Sequence, residues 1–357
     1  MRGIYTAQYL ASLADGFSKK AGRKTLDVGS GFDLIVGTST GAILACAIAA
    51  NVPLARVVQF YNEKGAAIFE RRVPSGIGLN LIMDLRKRPE SLRRGEQALR
   101  NALVECFAQE TIGEVYSRRN IALGITAIDM STHKSWVFKT PHLKNSNHRD
   151  DGFRLVDICL ASTAAPIYRS LAALEARDGS LGSHVFADGG LWANNPVLVG
   201  MIDALEMADE GQAIEIFSIG TVPRPAGDDM GKEIVYRSLS DWKFGAEAAS
   251  LAIDAQEFAY DHMARMLARH LDRKCDVIRF PRETVPANMM KYLDLDEIRP
   301  EALTALVNLA RNDVNMTNSR CGNSDDIQAS MIVKLFCNLD EQNQPNREDN
   351  TGTEEKP

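Results

Sequence analysis

The sequence predicts an α/β fold with a mostly parallel central sheet, and three observations predict it. Four short apolar runs, Leu34 to Val36, Ile121 to Ile128, Val185 to Ala187 and Ile214 to Ile219, recur along the chain like buried strands. Segments with helical apolar spacing lie between them, so strand and helix alternate as in a parallel sheet. Two of the runs close on glycine, Gly37 and Gly220, where a strand can turn tightly.

From the first residues, Ile4, Ala7, Leu10, Leu13 and Phe17 recur at near-helical spacing, so the chain opens in an amphipathic helix with no strand ahead of it. Leu34 to Val36, Gly37 and Ala42 to Ala50 read as a strand, a tight turn and a buried helix. Past Gly220 the character changes. Ala252 to Leu271 reads as a long helix, Val277 to Phe280 as a short strand, and Leu303, Leu306 and Leu309 mark another helix. Residues 226–339 are therefore expected to be a mainly helical cover packed on a core of residues 1–225. Residues 340–357 hold no aliphatic or aromatic side chain to offset the entropy of ordering them, and read as a disordered tail.

A formal net charge of -6 and a pI of about 5.6 exclude a general attraction for nucleic acid polymers or anionic lipid, so any such attraction is local. The six cysteines contain no C-x-x-C pair, which argues against a structural zinc site and a dense disulfide framework. Nothing at the start resembles a secretion signal. The most apolar stretch, Ala42 to Ala55, is interrupted by Asn51 and Pro53 and falls short of the roughly 20 residues that span a bilayer. The expectation is a cytoplasmic protein, peripheral wherever it meets a membrane.

Gly37-Thr38-Ser39-Thr40-Gly41 lies between the strand ending at Val36 and the helix beginning near Ala42, the setting of a nucleophile elbow. The turn is sharp enough that side chains at the two flanking positions are expected to collide, and it lifts the Ser39 hydroxyl above the sheet edge. Outside that setting G-x-S-x-G is commonly a plain turn. A serine nucleophile needs a base, which in a Ser-His-Asp triad is a histidine on a loop after a strand. His262 and His270 fall inside a helical pattern, His184 lies just before a strand, and His133, His142 and His148 lie in a polar loop region. Asp188-Gly189-Gly190, directly after Val185 to Ala187, offers a carboxylate at the sheet edge with little bulk around it, level with Ser39 if the strands are parallel. By itself this is equally a D-G-G turn.

Five blocks in order change that balance. They are Arg2-Gly3-Ile4-Tyr5, Asp33 through Gly41, Ala161-Ser162-Thr163-Ala164-Ala165-Pro166-Ile167-Tyr168, Asp188-Gly189-Gly190 with Asn194-Asn195-Pro196, and Ser218-Ile219-Gly220-Thr221. Over most of residues 2 to 225 the chain resembles the patatin-like phospholipase family. The resemblance implies a three-layer α/β/α sandwich and a lipid acyl hydrolase with a Ser-Asp dyad. In it Ser39 attacks the ester, Asp188 takes and returns the proton, and an acyl-enzyme is hydrolysed without metal or cofactor. The substrate implied is a phospholipid at a membrane surface. Short bacterial members also resemble cyclic-nucleotide-activated phospholipase effectors of antiphage defence, a resemblance that leaves room for a small-molecule activator, although no nucleotide-reading motif stands out.

The family's oxyanion loop reads G-G-G-x-R-G after a first strand. Here Arg2 and Gly3 remain with Met1 at the variable position, which leaves the backbone N–H of Thr40 as the donor beside the nucleophile. The expectation is a start upstream of Met1 that supplies the strand and its glycines. Without them the sheet has an exposed edge or an empty slot. Two rival readings stand beside this one: a Ser-His-Asp hydrolase, and a catalytically silent binding or regulatory protein that keeps the fold. Two features remain. Arg71, Arg72, Arg86, Lys87, Arg88, Arg93 and Arg94, among Leu79, Leu81, Ile82 and Met83, read first as a solvated face paired with Glu70, Asp84, Glu90 and Glu96, and second as a lipid contact. Met263, Met266, Met289, Met290, Met316 and Met331 read first as core filling and second as an acyl channel.

Overall fold

The opening apolar period folds as α1 (Gly3–Lys20), which buries Ile4, Leu10, Leu13 and Phe17. In this computed structural model residues 2–70, 79–175, 182–222, 231, 235–238, 242, 246–293 and 297–342 are described. After α1 come β1 (Leu26–Asp27), β2 (Leu34–Thr38), α2 (Thr40–Ala49), α3 (Leu54–Ile68), α4 (Leu79–Phe107) and α5 (Ile112–Arg119). Next come β3 (Ala122–Asp129), β4 (Lys134–Lys139), α6 (Leu155–Ser162), β5 (Ala172–Glu175), β6 (Ser183–Asp188), α7 (Gly190–Ala193), α8 (Val197–Met207) and β7 (Ile214–Ile219). The chain continues through α9 (Ala246–His270), β8 (Cys275–Phe280), α10 (Pro300–Cys321), α11 (Ile327–Cys337) and β9 (Asp340–Glu341).

The layers follow from strand alternation. On β2, a Cβ at Gly37 would meet Ala45 of α2, whereas the neighbouring Val36 side chain meets Gly200 of α8. Helices therefore cover both faces of the sheet, giving an α/β/α sandwich. The larger buried cluster joins α1, α2, α6 and α10 to the strands, and a smaller one gathers Val197, Met201, Ala264 and Val277.

The sheet is mixed rather than mostly parallel. β2 and β3 are parallel, with Thr38 opposite Thr126, and β7 and β8 are parallel. The turn from β3 to β4 is too short for a crossover and dictates an antiparallel hairpin along Gly124 to Asp129. That occupies one edge of β3. β2 takes the other edge up to Thr126, and β6, antiparallel, takes it from Ala127 to Asp129. Hence β2 and β6 meet end to end on one edge of β3. The residue after Thr38 and the last residue of β6 are thrown together, and those are Ser39 and Asp188.

The C-terminal portion is more than a helical cover, since its β8 pairs along the whole of β7. The boundary drawn at 225/226 lies outside the described residues. Between β2 and β7 lies a cavity of about 690 Å³, lined by Leu34 to Val36, Ile214 to Ile219, Gly3 and Gly41. Among the described residues β2 pairs only with β3 and β7 only with β8.

The tail drawn from residue 340 starts too early. Asp340 and Glu341 pair antiparallel with Asp27 and Leu26, Gln342 N–H donates to Thr25 O, and Gln342 Nε2 donates to Asn51 O. Backbone hydrogen bonding, which composition does not record, ties down this polar segment. Residues 343–357 lie outside the described residues. Removing 340–357 is expected to lower Tm by several degrees, at about 1 kcal/mol per lost hydrogen bond and about 2–4 °C per kcal/mol. Removing only 343–357 should lower Tm less than removing 340–357 in a thermal melt, and equal shifts for the two truncations would refute the docking of residues 340–342.

Candidate active site

Ser39 joins β2 to α2 with φ 54° and ψ -124°, a conformation rare for a side-chain-bearing residue and costing about 1–3 kcal/mol. Its backbone is held from outside the turn: the N–H donates to the hydroxyl of Ser162 at 2.9 Å, from the end of α6. Of the two flanking glycines, only Gly37 is sterically required. A Cβ there would sit 2.5 Å from Gly41 O and 2.8 Å from Ala45 Cβ, whereas one on Gly41 would meet nothing within 4 Å. The expectation of a collision at both positions is corrected, because Gly41 faces the cavity. Thr38 anchors the turn below, its hydroxyl bonding to Thr126 Oγ1 at 2.8 Å and donating to Ala193 O at 2.6 Å.

Ser39 Oγ donates to Asp188 Oδ2 at 2.6 Å. The other carboxylate oxygen accepts the Gly190 N–H at 2.7 Å, and Asp188 N–H donates to Ala164 O at 3.0 Å. Gly189 allows this turn to press on β3, since a Cβ there would fall 2.4 Å from Thr126 O. Asp188 is buried, and burial raises its pKa from the ordinary carboxylate value to about 6 against the opposing effects of the Ser39 and Gly190 hydrogen bonds and the charge of Arg169. Arg169 is itself buried, which pushes its pKa down to about 10 while Glu96 and Asp188 oppose the shift.

The start of α2 at Thr40 lies beside the nucleophile, so its first amides have no acceptor within the helix. The start of α1 abuts it: a Cβ on Gly3 would come 2.8 Å from Thr40 Cβ. Two positive helix ends therefore lie together at the elbow. Arg2 is drawn elsewhere, with Nε donating to Leu293 O at 2.7 Å.

The histidines are engaged or exposed away from this pair. His184 Nδ1 meets Asp129 Oδ2 at 3.0 Å, His142 Nδ1 meets Thr140 Oγ1 at 2.7 Å, and His148 Nδ1 meets Asp151 Oδ2 at 2.8 Å. His133 lies in the β3–β4 turn, and His262 and His270 are exposed on α9. In the basic segment Arg94 pairs with Glu70 and Glu90, as a solvated face does. Arg71 and Arg72 lie outside the described residues, as do the side chains of residues 79–86. Of the methionines, Met263, Met266 and Met316 are exposed and Met289 and Met331 pack on the core.

Sequence reasoning missed Ser162, Arg169, Gln256 and Glu257. Gln256 Oε1 accepts Asn194 N–H at 2.9 Å, its Nε2 donates to Trp192 O, and Glu257 Oε2 accepts Asn194 Nδ2 at 3.1 Å. Only Ser162 and Arg169 had a signal, lying in or beside the Ala161 to Tyr168 block.

A family model described as patatin-like phospholipase matches residues 1–201. Among curated proteins, a cGAMP-activated phospholipase of Pseudomonas aeruginosa is 32% identical over 267 residues, covering 74% of this chain and 71% of its own. One of Vibrio cholerae is 31% identical over 323 residues, covering 87% and 86%, and one of Escherichia coli is 28% identical over 333 residues, covering 89% and 81%.

Proposed function

This chain belongs to the patatin-like phospholipase family, and on that premise we propose that it is a serine lipid acyl hydrolase of the phospholipase A type, with Ser39 as nucleophile and Asp188 as its base. The observation that carries this reading is the 2.6 Å hydrogen bond from Ser39 Oγ to Asp188 Oδ2 at a strained elbow. As Ser39 Oγ attacks the ester carbonyl carbon, its proton passes to Asp188 Oδ2 and the carbonyl π electrons move onto oxygen. The amide of Thr40 and the start of α2 stabilise that oxyanion. When the tetrahedral intermediate collapses, the leaving alcohol takes the proton from Asp188. Water then repeats the sequence on the acyl-enzyme and releases the fatty acid.

A carboxylate is ordinarily too weak a base for this work, and burial removes part of the mismatch. The base must be ionised, so with Asp188 at about 6, kcat/KM is expected to be flat above that pH and to fall about tenfold per unit below it. A pH–rate profile that breaks elsewhere and moves when a histidine is replaced would instead identify an imidazole base.

Three exposed apolar side chains, Ile167, Leu171 and Leu191, stand close in sequence to Asp188 and to the Ala164 carbonyl that holds it, and support action on lipid packed at a membrane surface. No helix among the described residues is long and apolar enough to cross a bilayer. The proposal is tested by incubating the chain with phospholipid vesicles and analysing products by mass spectrometry, with Ser39→Ala as control. Free fatty acid and lysophospholipid formed only by the wild type are expected, and equal products from both would refute it. The relatives named as cGAMP-activated, which align with most of this chain, support a second element: hydrolysis rises when a cyclic dinucleotide binds.

A further inference from the structure

We propose that an arginine-lined pocket at the C-terminal ends of β7 and β8 is where a cyclic dinucleotide docks through its phosphodiester, and that α9 carries its occupancy to the loop after Asp188. This rests on the reading that the enzyme answers to such an activator. The pocket measures about 350 Å³ and is lined by three arginines, Arg265 of α9 with Arg279 and Arg282 at the end of β8, against two carboxylates, Asp261 and Glu283, together with Thr284 and Gln328 of α11. Its volume falls within the roughly 300–1,000 Å³ of small-molecule sites, and it lies where parallel strands of α/β folds ordinarily receive ligands.

Its charges are incompletely matched. Arg265 is held by Asp261 at 3.1 Å, whereas Arg282 donates to the neutral Gln328 Oε1, and the carboxylate of Asp326, 3.8 Å from Arg282, is already engaged by Arg320 at 2.8 Å. Burial, then the positive charges of Arg320 and Arg265, hold the Arg282 guanidinium below its ordinary pKa against Asp326 and Glu283. A phosphodiester between Arg265, Arg279 and Arg282 relieves that like-charge crowding and accepts the paired N–H bonds that guanidinium groups offer.

The route to the dyad is short. Arg279 Nη2 binds Glu257 Oε1 at 2.5 Å, and the same carboxylate accepts Asn194 Nδ2 through its other oxygen at 3.1 Å. Glu257 O also accepts from Asn195 Nδ2 at 3.3 Å, and one turn of α7 separates these asparagines from the Gly190 amide on Asp188. A phosphate that draws Arg279 away leaves Glu257 to Asn194 and resets the loop carrying the base.

The test uses the full chain. Hydrogen exchange followed by mass spectrometry is run with cGAMP, with inorganic phosphate, and with anionic vesicles. Slowed exchange at residues 261–265 and 279–284 together with a change at 190–195, produced by cGAMP alone, is the expected result. By calorimetry Arg282→Gln and Arg265→Gln should each weaken cGAMP binding about tenfold or more. Arg282→Lys should recover part of the loss, and Ser39→Ala should bind like the wild type. If the wild type binds no cGAMP, the activator reading itself fails. If it binds cGAMP with exchange slowed elsewhere and both glutamine variants unimpaired, only this site is overturned. Protection by phosphate or vesicles in place of cGAMP overturns the nucleotide assignment.

Discussion

Ser39→Ala and Asp188→Asn are each expected to abolish ester hydrolysis, with losses of at least about 10²-fold to 10⁴-fold, the usual worth of general base catalysis. Because both act in one proton transfer, the double variant should be scarcely slower than either single one. The two differ in stability. The Asp188 pKa is raised to about 6 by burial, so above that pH the ionised carboxylate destabilises the fold by about 3 kcal/mol, and this penalty disappears as pH falls towards the ordinary carboxylate value. Asparagine keeps acceptors and donors for Ser39 and Gly190 without the charge. Asp188→Asn should therefore melt higher than the wild type at pH 8 and no higher at pH 4. A fluorophosphonate probe should label Ser39 in the wild type and nothing in Ser39→Ala. Lack of labelling in the wild type would favour the silent-binding reading, and a single histidine substitution as damaging as Ser39→Ala would overturn the dyad.

The parts of the site legible in the sequence are those governed by local geometry. Strand, glycine, serine and helix follow one another within residues 34–49, so the elbow declares itself, and α1 declares itself by periodicity. What brings Asp188 to Ser39 is long-range. β6 runs antiparallel and takes up the edge of β3 where β2 stops, and these two registers on β3, which no local pattern encodes, bring together residues 149 apart in sequence. The expected parallel sheet supplied the right neighbour for the wrong reason. Ser162, Gln256 and Glu257 were hidden similarly, since each acts through hydrogen bonds to residues distant in sequence. At the other end of the chain, Asp340 to Gln342 looked disordered because composition counts apolar area and omits backbone pairing.

The glycines of the elbow should respond unequally. Gly37→Ala places a methyl 2.5 Å from Gly41 O, and Gly189→Ala places one 2.4 Å from Thr126 O, both against backbone that is itself bonded into β3 or α2. Neither contact can relax by rotating a side chain, so the strand end or the turn must move. Overpacking of this kind costs about 1–3 kcal/mol. A displacement of about 1 Å in the nucleophile or the base costs about 10²-fold in rate. Gly41→Ala meets open space within the first turn of α2, and replacing glycine by alanine in a helix gains up to about 1 kcal/mol. Purified side by side, Gly37→Ala and Gly189→Ala should melt several degrees below the wild type and lose nearly all hydrolysis. Gly41→Ala should melt no lower and keep activity within about tenfold, a barrier change of about 1.4 kcal/mol. If Gly41→Ala were as damaging as Gly37→Ala, the space beside Gly41 would be filled in solution by a segment lying between β2 and β7.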